Sequence, residues 1–373
     1  MRPAQEIEGR PIRCLTVPTG CRQSRRDRGW RRISFSLLWT CSETGSSMKS
    51  GGQLYFHAPC FDGIVSAVLT WDFAEHALGW AVRRLLPVNY GLRSTWLRQS
   101  LREPSAVVDF LYHPKATFWA DHHSTTFLTP AARRDYRLRK SQWLVYDESA
   151  ESCASLLWGH LWKKFRYRNP AYADLVKWAA KTDSAKYSSV EEAIHGTAPA
   201  LKIHASLFYG DDNEYPAFLV RQLRHKQLAT VAGLPRVKER FKRFALDVKR
   251  GLKVFKARSR LDGDVVVFDI DAGDTLVPRY APYYFFPRAR YSIGIVRRAG
   301  ATKITAMRNP WREFASIHIG KLFESFGGGG HQRVGSVVLR DGDADRPDEV
   351  FQRLVTRLRE GRSPSADRRK RVP

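Results

Sequence analysis

The tripeptide Asp121-His122-His123 closes the apolar run Thr117-Phe118-Trp119-Ala120, which reads as a buried strand. A carboxylate and two imidazoles are costly there unless a metal ion or a reaction needs them. Three other places carry matching chemistry. His57-Ala58-Pro59-Cys60-Phe61-Asp62-Gly63 follows the first apolar run, and Asp109 follows Val107-Val108. Asp183 lies in Lys181-Thr182-Asp183-Ser184, at the end of an amphipathic stretch. Carboxylates and imidazoles converging from separate segments suit divalent manganese or magnesium, which take oxygen and imidazole ligands. Singly, each has a plainer reading: Asp62 as a helix cap, Asp109 as a loop residue, Asp183 as a turn former beside Ser184. Together they predict a metal site.

The elements that must position these residues alternate, strand then helix. Strands are expected at 53–58, 84–89, 106–110 and 117–120, and helices at 64–78, 152–166 and 172–181. That pattern predicts an α/β fold with a parallel sheet covered by helices. The candidate strand-end residues then fall at its carboxyl edge, where ligands bind in open α/β sheets. Residues 221–260 hold fourteen Lys or Arg against two acidic residues and read as a long basic helix or helix pair. A solvated helical face and a nucleic-acid surface account for it equally well. Beyond it, strands at 265–270, 291–296, 303–307 and 334–339, with helices at 313–326 and 348–360, make a second α/β unit. The expected organisation is a catalytic metal-binding domain (48–200), a basic helical connector (201–260), a smaller α/β substrate-binding domain (261–361) and a basic disordered tail (362–373). Residues 1–47 read as a misassigned extension or disordered leader, with Met48 the natural start. Asp147-Glu148-Ser149 and Ser152 either cap a helix or face phosphate. The cluster Tyr280, Tyr283, Tyr284, Phe285 and Phe286 reads as packing, with base stacking the alternative.

Composition narrows the function classes. The 373 residues are 43% apolar with 11 Trp and 20 Phe, which excludes a largely disordered chain. No run approaches the ~18 apolar residues of a membrane helix. A net charge of +26 exceeds what solubility needs and implies an anionic partner, nucleic acid first; a general arginine richness is the bland alternative. Five Cys show no paired spacing, which excludes a secreted disulfide framework and fits the reducing cytoplasm. Three of them lie in residues 1–47, beside nine Arg and four acidic residues.

In order and spacing, His57…Asp62-Gly63, Asp109, Asp121-His122-His123 and Asp183 resemble the DHH phosphoesterase superfamily. The run Gly327-Gly328-Gly329-Gly330-His331, with Phe326 before it and Gly335 after, resembles the signature of that superfamily's associated C-terminal domain. RecJ-type nucleases, nanoRNases and oligoribonucleases carry this pairing. The resemblance covers about residues 53–340. It implies two divalent ions, manganese with magnesium as the alternative. Asp109 would bridge them, Asp62, His122 and Asp183 would complete one site, and His57 would belong to the other. His123 would act with Asp109 at the reacting phosphate or its water. The backbone of Gly328, Gly329 and Gly330 would cradle a phosphate, with His331 and Arg308 adding charged contacts and Arg333 a weaker one. A flexible helix-to-strand connection is the plainer reading of the glycines.

The expected activity is hydrolysis of short single-stranded nucleic acid to nucleoside monophosphates, as an exonuclease or oligoribonuclease. The alternatives are a phosphodiesterase or phosphatase for a small nucleotide, such as a cyclic dinucleotide or bisphosphorylated adenosine, and a non-catalytic nucleic-acid binder. A monomer or a homodimer suits either enzyme. One departure stands out. The superfamily usually places a second Asp two residues before Asp62, where this chain has Cys60. Cys60 reads as a buried small hydrophobe, with ligation by its thiol the alternative.

Overall fold

The computed structural model describes residues 51–210, 212–271, 276–298, 301–340 and 346–361. The expectations for residues 1–47 and 362–373 lie outside these, as does the side chain of His331. Strands of a parallel sheet are covered on both faces, so they form from near-continuous apolar runs. Five strands make the first sheet, fully buried at its centre in β3 and β4 and with Arg83 and Arg84 exposed on the edge strand β2: β1 (Gly51–His57), β2 (Ala81–Val88), β3 (Ser105–Val108), β4 (Phe118–Asp121) and β5 (Leu144–Tyr146). All are parallel, in the order β2-β1-β3-β4-β5. The order turns back at β1, so the crevice between the carboxyl ends of β1 and β3 is the sheet's topological switch point.

Helix α1 (Phe61–Ala77) is apolar almost all round, because it lies in the middle of the first core. Leu54 and Phe56 of β1 meet it from below. Above it lie α3 (Cys153–Phe165) and α4 (Ala173–Asp183). After α5 (Val190–His195) and α6 (Pro199–Ser206), α7 (Tyr215–His225) and α8 (Leu228–Ala232) join the same core through Leu219, Val220, Leu223 and Val231. The opposite face of the sheet is filled by Trp96, Tyr112, Trp119 and Tyr136, the last from α2 (Pro130–Arg139). The result is a three-layer α/β/α unit.

Helix α9 (Pro235–Arg258) carries the chain onward. Six strands follow: β6 (Ser259–Asp262), β7 (Val265–Asp271), β8 (Tyr291–Arg298), β9 (Ala301–Arg308), β10 (Gly329–His331) and β11 (Val334–Arg340). Their order is β10-β11-β9-β8-β7-β6, with only β7 and β8 parallel. One face is covered by α11 (Ile319–Glu324) and α12 (Pro347–Glu360). The other packs on α9 and α10 (Ala281–Phe285) in a cluster shared with Tyr187, Ile194 and Leu201. Helix α9 therefore belongs to both cores, through Val237 to the first and through Val248, Leu252 and Phe255 to the second. Gly251 makes the second contact possible, since a Cβ there would sit 1.7 Å from the Leu276 carbonyl oxygen.

The helix expected over 313–326 is shorter in the structure, running only over Ile319–Glu324. Phe314 is held out as a platform for Arg290 and Arg308, and the Tyr291 hydroxyl accepts from Ile317 N–H. His318 then caps the helix, its Nδ1 accepting from Lys321 N–H. The basic segment 221–260 is the end of α7, then α8, then α9, and α7 and α8 are built into the first core. Strand β3 stops two residues short of the expected end because Asp109 turns into the left-handed region, φ 55°. Tyr280 and Tyr283 are buried, in line with packing. Among the described residues no helix is long and apolar enough to cross a membrane.

Candidate metal centre

Parallel strands end on one edge, and that geometry gathers the candidate residues. His57 is the last residue of β1, Asp109 lies just past β3, and Asp121 ends β4 ahead of His122 and His123. Asp62 sits in the first turn of α1, and Asp183 is the last residue of α4. Their ligand atoms form three overlapping groups, each with all atoms within 4.8 Å: His57–Cys60–Asp109, Asp109–His122–His123, and Asp62–His122–Asp183.

Asp109 lies at the centre. It is 1% exposed, and its two oxygens face different partners. Oδ2 is 3.5 Å from His57 Nδ1, while Oδ1 is 3.8 Å from both His122 Nε2 and His123 Nδ1. A left-handed aspartate costs about 1–3 kcal/mol and persists where its surroundings over-determine it. Neither Asp109 oxygen, nor His57 Nδ1, nor His122 Nε2 has a hydrogen-bond partner. Native interiors seldom leave such groups orphaned, and four aimed into one space fit the ligands of a cation.

The supporting contacts fix how each ligand points. The Nδ1–H of His122 donates to the Ala150 carbonyl at 3.1 Å, which turns Nε2 towards the acids. That Nε2 lies 3.2 Å from Asp183 Oδ2 and 3.8 Å from Asp62 Oδ2. The Nδ1–H of His123 donates to Asp121 Oδ1 at 2.8 Å, so Asp121 sets the ring and its tautomer. Asp62 accepts from the N–H groups of Cys153 and Ala154 at 2.7 and 2.9 Å, the first turn of α3. Unsatisfied N–H groups and the helix dipole make that turn a natural carboxylate seat. A reciprocal cap between Ser152 and Ser155 orders it, so the Ser152 region serves as a cap. Gly63 is required by closeness: a Cβ would sit 2.1 Å from His57 O and 3.2 Å from Asp109 Oδ2.

The charges push on one another. Burial, then the carboxylates of Asp62, Asp183 and Asp121, raise Asp109 well above the usual range. Burial, then Asp183, push Asp62 up to about 6. Burial and neighbouring His123 lower His57 to about 4. Burial opposes the charged form of His122, but Asp183 and Asp62 outweigh it and hold the imidazole up at about 9. Asp183 itself is lowered: burial works against this, and the imidazoles of His122, His123 and His57 prevail. Its place at a helix carboxyl end, unfavourable for an anion, makes those imidazoles necessary. The cluster is thus short of positive charge, which divalent ions would supply.

The C-terminal candidates sit in the second sheet. Arg308 is 7% exposed, stacks on Phe314 at 4.4 Å, and donates to the Asn309 and Phe314 carbonyls, both at 3.3 Å. Its guanidinium is engaged within its own sheet rather than with the cluster. Gly328 and Gly330 are tightly packed, since Cβ atoms there would meet Ser336 O at 2.4 Å and Val334 O at 2.2 Å, whereas Gly329 faces open space. Sequence reasoning left several contributors unassigned: the orienting role of Asp121, the α3 N–H groups, and Tyr90. Tyr90 lies just past β2, 37% exposed, with its ring 5.0 Å from His57 and 6.3 Å from His123. The strand-edge rule that found Asp109 would have found it.

Fold and site together define a two-domain α/β protein with a cluster of acidic and imidazole groups at the switch point of its parallel sheet. No family model matches the sequence, and no curated protein does. Solved structures do match in fold. One is the pGpG-specific phosphodiesterase PggH from Vibrio cholerae, with TM-score 0.62 and 18% identity, covering 84% of this chain and 100% of that one. Another is an exopolyphosphatase-related protein from Bacteroides fragilis, with TM-score 0.43 and 11% identity, covering 83% and 92%. The likeness to the first of these is one of fold.

Proposed function

We propose that this chain is a metal-dependent phosphoesterase that hydrolyses short single-stranded nucleic acid and releases nucleoside monophosphates. The observation that carries this reading is Asp109, buried and unpartnered, with one oxygen towards His57 and the other towards His122. A carboxylate so placed can serve two cations at once. His57 and Asp109 would hold one ion, and Asp62, His122, Asp183 and Asp109 the other. Two divalent ions, manganese first, would supply Lewis acidity and an activated water for in-line displacement at phosphorus.

The residues do the rest. Asp109 fixes the spacing of the two positions. His123, held by Asp121, keeps its second ring nitrogen available for a proton or hydrogen bond at the reacting phosphate. The α3 turn keeps Asp62 in place without a counter-charge. In the second domain, the glycine run and His331 remain the proposed phosphate grip. Arg308 joins it only by releasing the carbonyls it now binds. The neighbour in fold is named for pGpG, a linear dinucleotide, which supports a short substrate and keeps a small-nucleotide phosphodiesterase as the second reading.

The test is release of mononucleotide from labelled two- and five-residue RNAs by metal-stripped protein titrated with manganese. Manganese-dependent release, abolished in Asp109→Ala, is expected. Turnover that survives Asp109→Ala would sink the two-metal reading. Cleavage confined to the dinucleotide would select the small-nucleotide one.

A further inference from the structure

Cys60 occupies the place where a carboxylate was expected, and its surroundings differ from those of the chain's other described thiol. Cys153 is fully buried, and its thiol donates to the Ala120 carbonyl at 3.3 Å, a structural contact inside the first core. Cys60 is half-buried and is the N-cap residue of α1, yet its side chain makes no capping hydrogen bond. Its Sγ instead lies within 4.8 Å of ligand atoms of both His57 and Asp109. His57 Nδ1 and Asp109 Oδ2 are 3.5 Å apart and unpartnered. Donors in a tetrahedral zinc-type site lie about 3.3–3.8 Å from one another, given metal–ligand bonds of about 2.0–2.3 Å. The trio is one small contraction from that arrangement.

Resting on the two-metal reading above, we propose that the Cys60 thiolate is the third protein donor of the first metal position, beside His57 and Asp109. The position is then a mixed sulfur, nitrogen and oxygen set, while the second, Asp62–His122–Asp183, has only oxygen and imidazole. Thiolate favours zinc, cobalt or ferrous iron over magnesium, whereas carboxylate and imidazole accept manganese readily. The two positions of this centre therefore select different ions. On binding, the S–H bond breaks, the sulfur–metal bond forms, and the proton leaves to solvent.

Cobalt(II) gives a readout independent of turnover. Metal-stripped full-length protein would be titrated with cobalt while its absorption is recorded. The expected result is a sulfur-to-cobalt charge-transfer band in the near ultraviolet, together with visible ligand-field bands. Cys60→Ser should lose the first and keep the second through the other position, and its cobalt affinity at the first position should fall at least about tenfold. Cys60→Asp should also lack the band but regain manganese binding there, which guards against a variant that merely misfolds. Ligand-field bands without charge transfer in the unaltered protein would overturn the thiolate proposal and leave the two-metal reading standing. A band that persists in Cys60→Ser would overturn it equally, by assigning the sulfur elsewhere. No cobalt uptake at all would overturn both.

Discussion

At the scale of the residue, Asp62, His122 and His123 are each held by a second group outside the cluster of ligand atoms. Asp121 is the clearest case: wholly buried, it accepts from His123 Nδ1–H. Asp121→Asn removes that anchor without touching the cluster's own donors. It should lower kcat about 10- to 100-fold while metal content is retained. A variant with normal kcat, or one that has lost its metal, would show that Asp121 is something other than a positioning group. Much of this centre was legible beforehand, because polar residues that end apolar runs are conspicuous. Asp109, Asp121-His122-His123 and His57 all carry that mark. What was hidden is long-range: Asp62 finds its N–H partners 91 and 92 residues away. No local pattern announces such a contact.

At the scale of the element, legibility followed burial. Strands covered on both faces, such as β1, β3 and β4, were read to within a few residues. The three-residue edge strands β5 and β10 were missed, being too short to show a period. The expected helix over 313–326 failed because tertiary contacts to Phe314 and Ile317 override local propensity. Helix α9 was seen as basic, but its charge has an arrangement that composition hides. Lys238, Lys242, Lys249, Lys253 and Lys256 are all exposed and, at 100° per residue, share one stripe. If that stripe guides nucleic acid, reversing Lys242, Lys249 and Lys253 to Glu should raise KM several-fold for a five-residue RNA. It should also flatten the salt dependence and leave a dinucleotide nearly unaffected. Equal KM values for the unaltered and reversed proteins on the longer substrate would return the stripe to a merely solvated face.

At the scale of the whole molecule, the centre is a store of unfavourable charge placed in a stable fold. Unfolded Asp ionises near pH 4 (about 3.9), but folded, metal-free Asp109 stays protonated to well above that value, through burial and its acidic neighbours. The folded state then binds more protons than the unfolded state across that window. Stability contributed by the protonated group is complete below about pH 4 and is lost as pH rises through the folded pKa. The thermal midpoint of metal-free Asp109→Asn should therefore exceed that of the unaltered protein by a margin that grows from pH 4 to pH 8. A margin independent of pH would show that Asp109 is not strained by its charge.

Helix α9 has a mechanical consequence of its own. It is seated at one end among the residues around Val237 and at the other around Val248, Leu252 and Phe255. Its 24 residues span about 36 Å without a break. A shaft keyed at both ends transmits angle as well as distance. Each residue added between the two seats would turn the second sheet by about 100° about the shaft, and only a near-whole turn would bring it back into phase. The direction in which the glycine loop looks is thus written in a count of residues that lie outside both that loop and the acidic cluster.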